Sequence, residues 1–267
     1  MKFPLLWNKE KKRKHFRIHM CCISHTGKVR MKNEDNFLFR GTCLPRNHIS
    51  MQTPFLWTAD SRKRPMVAVF DGMGGENAGE LASYTAAKIM AEVGQGTAPY
   101  SKENLTDTLR YLNRGVCEIS RERRLGQIGT TVTLFAFEES SVWIANLGDS
   151  PAFQFRNGRL TRISHAHTNE RFLMSQGIQR KPALTQFLGI EEDEFIQEPY
   201  IERWELASED IYLLCSDGLT DMVSEEEIRL VLQRTKDVEN ALEELLQMAL
   251  EHGGRDNITI LICKADA

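Results

Sequence analysis

Pro65-Met66-Val67-Ala68-Val69-Phe70-Asp71-Gly72-Met73-Gly74-Gly75 changes character at a single residue. The first six positions are continuously apolar, without the alternation of a half-exposed strand. A short run of this kind, closed by glycines, predicts a strand covered on both faces. It ends on a carboxylate. An acid where a core strand meets solvent is costly unless it is paired or bound to a cation. The glycines that follow let the backbone turn sharply and let a carbonyl approach an ion closely. A helix is expected to open near Asn77.

The same join of apolar strand and acid recurs along the chain. Residues 141–147 run into Gly148-Asp149-Ser150, and residues 210–216 run into Asp217-Gly218. Asp256 precedes the apolar run 257–264, and Asn33-Glu34-Asp35 precedes Phe37-Leu38-Phe39. One Asp-Gly is far more often a turn than a ligand. Acids placed repeatedly at strand ends are a different signal, because gathered at the rim of one sheet pair they would repel each other. Divalent cations resolve that conflict. Oxygen donors without histidine or cysteine suit magnesium, manganese or calcium and do not suit zinc.

Outward from these joins, residues 16–25 and 35–40 read as strands, and 41–65, with Pro45, Pro54 and Pro65, reads as an irregular loop or insert. Residues 76–93 and 101–123 have helical periodicity, the second with Leu105, Leu109, Leu112, Val116 and Ile119 on one face. Residues 131–137 and 141–147 are strands. Residues 152–163 form a hairpin about Asn157-Gly158, where both positions tolerate positive φ. Residues 164–200 are mixed and polar and read as the mobile surface segment. Ser224-Glu225-Glu226-Glu227 is a capping box opening a helix, 237–252 is another helix, and 257–264 is a closing strand. Runs of strands separated by two pairs of helices predict a layered α+β domain.

The 267 residues suit one domain of this kind, and 41% hydrophobic residues can fill its core. Acids number 37 and bases 34, so a net charge of −3 offers no bulk attraction to nucleic acid or acidic membranes. Six cysteines form no C-x-x-C pair and no disulfide framework, which argues for a reducing, cytoplasmic setting. Cys215 and Cys263 fall in apolar runs and are expected to be buried thiols. No apolar run reaches the ~18 residues of a membrane-spanning helix. Residues 1–15 form a basic extension with Lys9, Lys11, Lys12, Arg13 and Lys14, read as a solvated terminus.

With these residues in hand, the chain resembles the metal-dependent protein phosphatases of the type 2C (PPM) family across residues 18–264. The motifs that carry the likeness stand in the family's order. They are Arg30-x-x-Asn33-Glu34-Asp35, Val67-Ala-Val-Phe-Asp71-Gly-Met-Gly-Gly75 with Ala78-Gly79-Glu80-x-Ala82-Ser83, Gly129-Thr130-Thr131, Gly148-Asp149-Ser150, Cys215-Ser216-Asp217-Gly218-Leu219-Thr220-Asp221 and Arg255-Asp256-Asn257-Ile258-Thr259. One such motif is weak, and six in order are specific. The form Asp-Gly-Met-Gly-Gly and the compact size resemble bacterial members.

The resemblance implies a four-layer α-β-β-α sandwich, two antiparallel sheets flanked by helix pairs, over residues 16–267, with residues 165–198 as a flap. It implies hydrolysis of phosphoserine and phosphothreonine on proteins by a water activated between two Mn2+ or Mg2+ ions, without a covalent intermediate. Asp71 would bridge both ions. Asp217 and Asp256 would complete the first, and the Gly72 carbonyl and, through water, Glu34 would hold the second. Asp35 would act from behind these ligands. Asp149 with Asp217 would hold a weaker third ion, and Arg30 would grip the phosphate. A cognate serine/threonine kinase, a role in signal transduction and a monomeric state are further expectations of the likeness.

Three departures stand out. Met73 replaces a histidine that serves many members as general acid, so a metal-bound water must protonate the leaving oxygen. Pro151 replaces the common arginine after Gly-Asp-Ser, removing a charge near the third ion. Ala166, in His165-Ala166-His167, replaces an acid, and the two histidines are read as polar loop residues. The rival functions are a pseudophosphatase acting as a binding module, against which the retained acids argue, and a two-metal nuclease, which the near-neutral charge disfavours.

Overall fold

The structure is a computed structural model that describes residues 14–267 other than 75–77, 94–97, 192, 194–195 and 236. The basic extension before Lys14 and the expected helix start at Asn77 therefore lie outside the described residues. In chain order the elements are β1 (Arg17–His25), β2 (Asp35–Leu38), β3 (Phe55–Asp60), β4 (Met66–Met73), α1 (Gly79–Val93), α2 (Lys102–Arg123), β5 (Gly129–Thr130), β6 (Val132–Glu138), β7 (Ser141–Leu147), β8 (Ala152–Arg156), β9 (Arg159–Arg162), α3 (Glu170–Ser175), β10 (Tyr200–Glu205), β11 (Ile211–Cys215), α4 (Asp217–Thr220), α5 (Glu225–Arg234), α6 (Val238–Glu251) and β12 (Ile258–Asp266).

Two antiparallel sheets result. One has the order β3-β1-β12-β11-β8-β9 and the other β10-β7-β6-β4-β2, with β5 pairing β4. The strands are apolar on both faces because each sheet is covered twice. Val67 and Val69 of β4, Phe135 and Phe137 of β6, and Leu261 and Cys263 of β12 meet in the core between the sheets. Their neighbours Ala68, Phe70, Leu134 and Ala136 pack under α1 and α2. Ile258, Ile260 and Ile262 pack under α5 and α6. The expected four-layer α+β sandwich is the observed one.

The local signals hold at several element ends. Ser101 caps α2 and Ser224 caps α5, each in a reciprocal capping box. Asn157 and Gly158 turn the β8–β9 hairpin with φ of 52° and 78°. Cys215 and Cys263 are buried free thiols. Residues 41–65 are not wholly irregular, which corrects the sequence reading. Residues 55–60 form β3, an edge strand paired with β1 from Arg17↔Asp60 to Cys22↔Phe55. Residues 164–200 contain the short helix α3, and Leu188 exchanges 2.9 Å backbone hydrogen bonds with Thr130.

Candidate active site

The strand ends of both sheets open on one cleft of about 450 Å³, lined by Arg30, Glu34, Asp71, Gly72, Met73, Asp149, Lys181 and Asp217, with Asp256 and Asn257 among the remainder. Asp71 does not end its strand, as the sequence suggested. It is the sixth residue of β4, which continues to Met73, and it stands directly opposite Asp35 of β2. Two carboxylates facing each other across a ladder repel, so each is constrained differently. Asp35 is fully buried, and its Oδ2 accepts hydrogen bonds of 2.7 Å from both Ser216 and Thr259 hydroxyls. Burial nevertheless pushes its carboxyl up to about 7.

Asp71 is half-buried, and its carboxylate has no hydrogen-bond partner among the described residues. Burial raises its pKa well above the ordinary carboxylate range, and Asp35, Asp217, Asp149 and Asp256 raise it further. Its backbone is clamped. Its N–H donates to the Thr131 hydroxyl at 3.0 Å, its carbonyl accepts from the Thr130 hydroxyl at 2.9 Å, and Thr131 in turn meets Ser150 Oγ at 2.7 Å. The Gly-Thr-Thr and Gly-Asp-Ser motifs thus hold the strand end that carries Asp71. Asp149, between β7 and β8, is pushed up to about 6 by burial and then by Asp217. Burial also raises Asp217 and Glu34, opposed by Lys181 and Arg30 respectively.

Gly72 admits no side chain, since an added Cβ would collide with the carbonyl oxygens of Gly79 and Glu34. Its N–H donates to the Glu34 carbonyl at 3.1 Å, which fixes Glu34 beside the start of α1. Asp217 is the first residue of α4, and its Oδ2 accepts from Lys181 Nζ at 2.9 Å. Asp256 Oδ2 accepts from Arg30 at 2.7 Å. All eight site residues named from the sequence except buried Asp35 line the one cleft. Among the described residues no three of the carboxylates are drawn as close as the ligands of one ion. Arg30 and Lys181 each take up one of them instead.

Two residues of the site were not given roles from the sequence. Asn257 is a clasp: its side chain donates to the carbonyls of Thr26 and Lys32 at 2.9 and 2.8 Å and accepts from the Glu34 N–H at 2.8 Å. Its place in Arg255-Asp256-Asn257 was the available signal. Lys181 reaches Asp217 and Asp221 from the segment after α3, and no spacing in its polar surroundings pointed to it. His167 is buried, with Nδ1 3.2 Å from the Gly148 N–H, so it supports the Gly-Asp-Ser loop.

The donor set fits hard divalent ions. The cleft offers carboxylates and a glycine carbonyl, with no histidine or cysteine among its described lining. The comparisons with known proteins agree with this chemistry. The sequence profile of the family described as protein phosphatase 2C matches residues 41–259.

The chain belongs to the protein phosphatase 2C family.

By that membership it is a protein phosphatase. It is 32% identical over 222 residues to the serine/threonine phosphatase stp of Listeria monocytogenes serotype 4b, covering 76% of this chain and 85% of that protein. Among solved structures it is similar to the serine/threonine phosphatase PstP/Ppp of Mycobacterium tuberculosis. The TM-score is 0.76 at 27% identity, with 94% of this chain and all of that one covered. The catalytic domain of PstP in complex with two manganese ions gives a TM-score of 0.73 at 27% identity, covering 94% of this chain and all of that chain. No helix among the described residues of this protein phosphatase 2C is long and apolar enough to cross a membrane.

Proposed function

We propose that the chain hydrolyses phosphoserine and phosphothreonine monoesters on proteins with two divalent cations, Mn2+ or Mg2+, held by Asp71, the Gly72 carbonyl, Asp217 and Asp256, with Glu34 joined through water. The observation that carries this reading is the cleft itself. Carboxylates from four distant stretches of chain line it together, around an Asp71 that burial and like charge disfavour as an anion. When bound, the ions supply hydroxide from water at neutral pH and neutralise charge on the phosphoryl oxygens. Two manganese ions in the similar PstP domain support the same choice here.

The chain's own groups do the rest. Thr130 and Thr131 hold Asp71 in place by its backbone, and Asp35 supports the strand beneath it from a hydroxyl-lined pocket. Arg30, at the rim, offers a planar fork that a lysine could not match to a phosphate. No cysteine, histidine or serine lines the cleft among the described residues, and the one lining hydroxyl, that of Thr131, is engaged by the Asp71 N–H and by Ser150, so the attack is assigned to ion-held hydroxide without a covalent intermediate. Asp149 and Asp217 are the place for a third ion, with Pro151 in place of a charge beside it. Residues 16–267 form the catalytic domain and 165–198 its flap. The substrates are phosphorylated proteins, opposed to a cognate serine/threonine kinase in signal transduction. The protein acts as a cytoplasmic monomer of bacterial type.

The test is hydrolysis of p-nitrophenyl phosphate and a phosphothreonine peptide with manganese, abolished by EDTA. Asp71→Asn and Asp217→Asn are expected to lose turnover by at least about 10³-fold, the scale of one strong electrostatic contribution at a transition state, while circular dichroism stays native. Full activity in either variant removes that residue from the ion site. Inactivity of the manganese-loaded wild type on both substrates would favour the binding-module reading.

A further inference from the structure

Beside the cleft, two loops are sewn into one surface. Residues 26–33 leave β1, and residues 45–51 lie next to them. Asn33 donates to the Ile49 carbonyl at 3.2 Å, Ser50 Oγ accepts from the Thr26 N–H at 3.2 Å, and the Met51 N–H donates to the Ser24 carbonyl at 2.9 Å. The first loop is also pinned to the strand behind it. Asn257 holds the carbonyls of Thr26 and Lys32, and the Lys28 N–H donates to the Gly254 carbonyl at 2.7 Å. Arg46 reaches inward to the buried Glu80 at 3.0 Å, securing the second loop against the start of α1.

What these fastened loops carry outward is apolar and basic. Met31 is 92% exposed, Ile49 67% and Val29 63%. Lys28, Arg30 and Lys32 alternate with Val29 and Met31, and all three are exposed. On a fixed backbone, large apolar side chains held in water spare a partner the cost of ordering the loop and leave only that of ordering the side chains. The surface is continuous with the cleft, because Arg30 lies in both.

We infer that this loop pair is a docking surface for the stretch of substrate protein flanking the phosphorylated residue, and that it selects flanks carrying acidic and apolar side chains. The inference rests on the phosphatase reading above and names its substrate class. Charge complementarity identifies the occupant. A flank with Glu or Asp meets Lys28, beside Lys32 whose ammonium lies 3.9 Å from Glu80, and an adjacent Leu or Met covers Met31, Val29 and Ile49. A basic flank would face like charges. This also gives the segment 41–54 a role that its sequence did not disclose.

Two phosphothreonine peptides test it, identical except for flanks of Glu and Leu in one and Lys and Ser in the other. With manganese-loaded full-length protein, kcat/KM is expected to favour the Glu/Leu peptide by about tenfold or more, the size of one partly covered apolar side chain. Fluorescence anisotropy should show the same order in Kd. The variant Val29→Ser/Met31→Ser and, separately, Lys28→Glu should erase most of that preference while p-nitrophenyl phosphate hydrolysis stays within about twofold. A wild type that hydrolyses p-nitrophenyl phosphate yet treats both peptides alike overturns the docking surface and leaves the catalytic reading intact. A wild type that discriminates in anisotropy but hydrolyses nothing sustains the surface and overturns catalysis. Binding to phosphatidylserine vesicles that Lys28→Glu abolishes, with no peptide preference, overturns the inference in favour of a lipid.

Discussion

Asn257 shows how much of the site depends on one residue whose side chain holds a loop in place. Its three side-chain hydrogen bonds join the Thr26–Glu34 loop to the start of β12. Truncation leaves two carbonyls and one N–H without partners, each worth about 1 kcal/mol or more when buried. Asn257→Ala is therefore expected to lose about 2–4 kcal/mol in urea unfolding and most turnover together. Native stability with lost activity would place Asn257 in the chemistry instead. A second residue gives a pH signature. Burial lowers the pKa of His167 from its usual value. A base so depressed stabilises the fold above its unfolded pKa near 6.5 and loses that contribution as pH falls below it. The stability difference between wild type and His167→Gln should shift against the wild type from pH 7 to pH 5.5, read from melting temperatures. A difference that stays flat would mean that His167 accepts a proton as freely as in the unfolded chain. That Asp71, Asp149, Asp217 and Asp256 line one cleft was legible from sequence because an acid where an apolar run meets solvent is costly. Lys181 was not, because a lysine in a polar stretch costs nothing and leaves no mark.

At the scale of elements, β4 is the decisive strand, and its continuation through Asp71 to Met73 was not read from its sequence. A run ending in Asp-Gly has the look of a turn. The ladder overrides that preference because β2 and β5 hold it from both sides, Asp35 opposite Asp71 and Thr130 opposite Gly72. The same override explains β3, whose residues Phe55 and Leu56 are exposed and give no alternating pattern, and which is a strand because β1 pairs it. Burial patterns speak clearly for covered strands and faintly for edges. Gly72 tests the β4 argument. With Gly79 and Glu34 carbonyls against the position of a Cβ, Gly72→Ala must part β4 from β2 or push α1 away. Overpacking of this kind costs about 1–3 kcal/mol. Because the displaced strand carries Asp71, the manganese affinity measured by calorimetry should fall as well. Unaltered affinity in a destabilised variant would separate the strand end from the ions.

Across the whole molecule, the sandwich brings acids from both sheets to one end: Asp71 and Asp149 from the sheet under α1 and α2, Asp217 and Asp256 from the sheet under α5 and α6. Periodicity could give the layers, but not the end at which the strands' acids meet, since that depends on the direction of each strand in the pairing. The arrangement sets repulsion against the fold, and the proposed cations would reverse it. Asp71 sits in the midst of it: burial first, and then four other carboxylates, raise its pKa. Asn at this position keeps the shape and removes the charge. In EDTA at pH 7.5, Asp71→Asn is therefore expected to melt above the wild type. Manganese at 100 times its Kd should stabilise the wild type by about 2.7 kcal/mol per site, or about 5–10 °C for a chain of this size, and Asp71→Asn by much less. The order of the two melting temperatures should reverse between EDTA and manganese. If Asp71→Asn melts lower in EDTA, repulsion is not what its carboxylate contributes. If it gains as much from manganese as the wild type, the two sheets are not bridged through Asp71, and the ions must be held by the remaining acids alone.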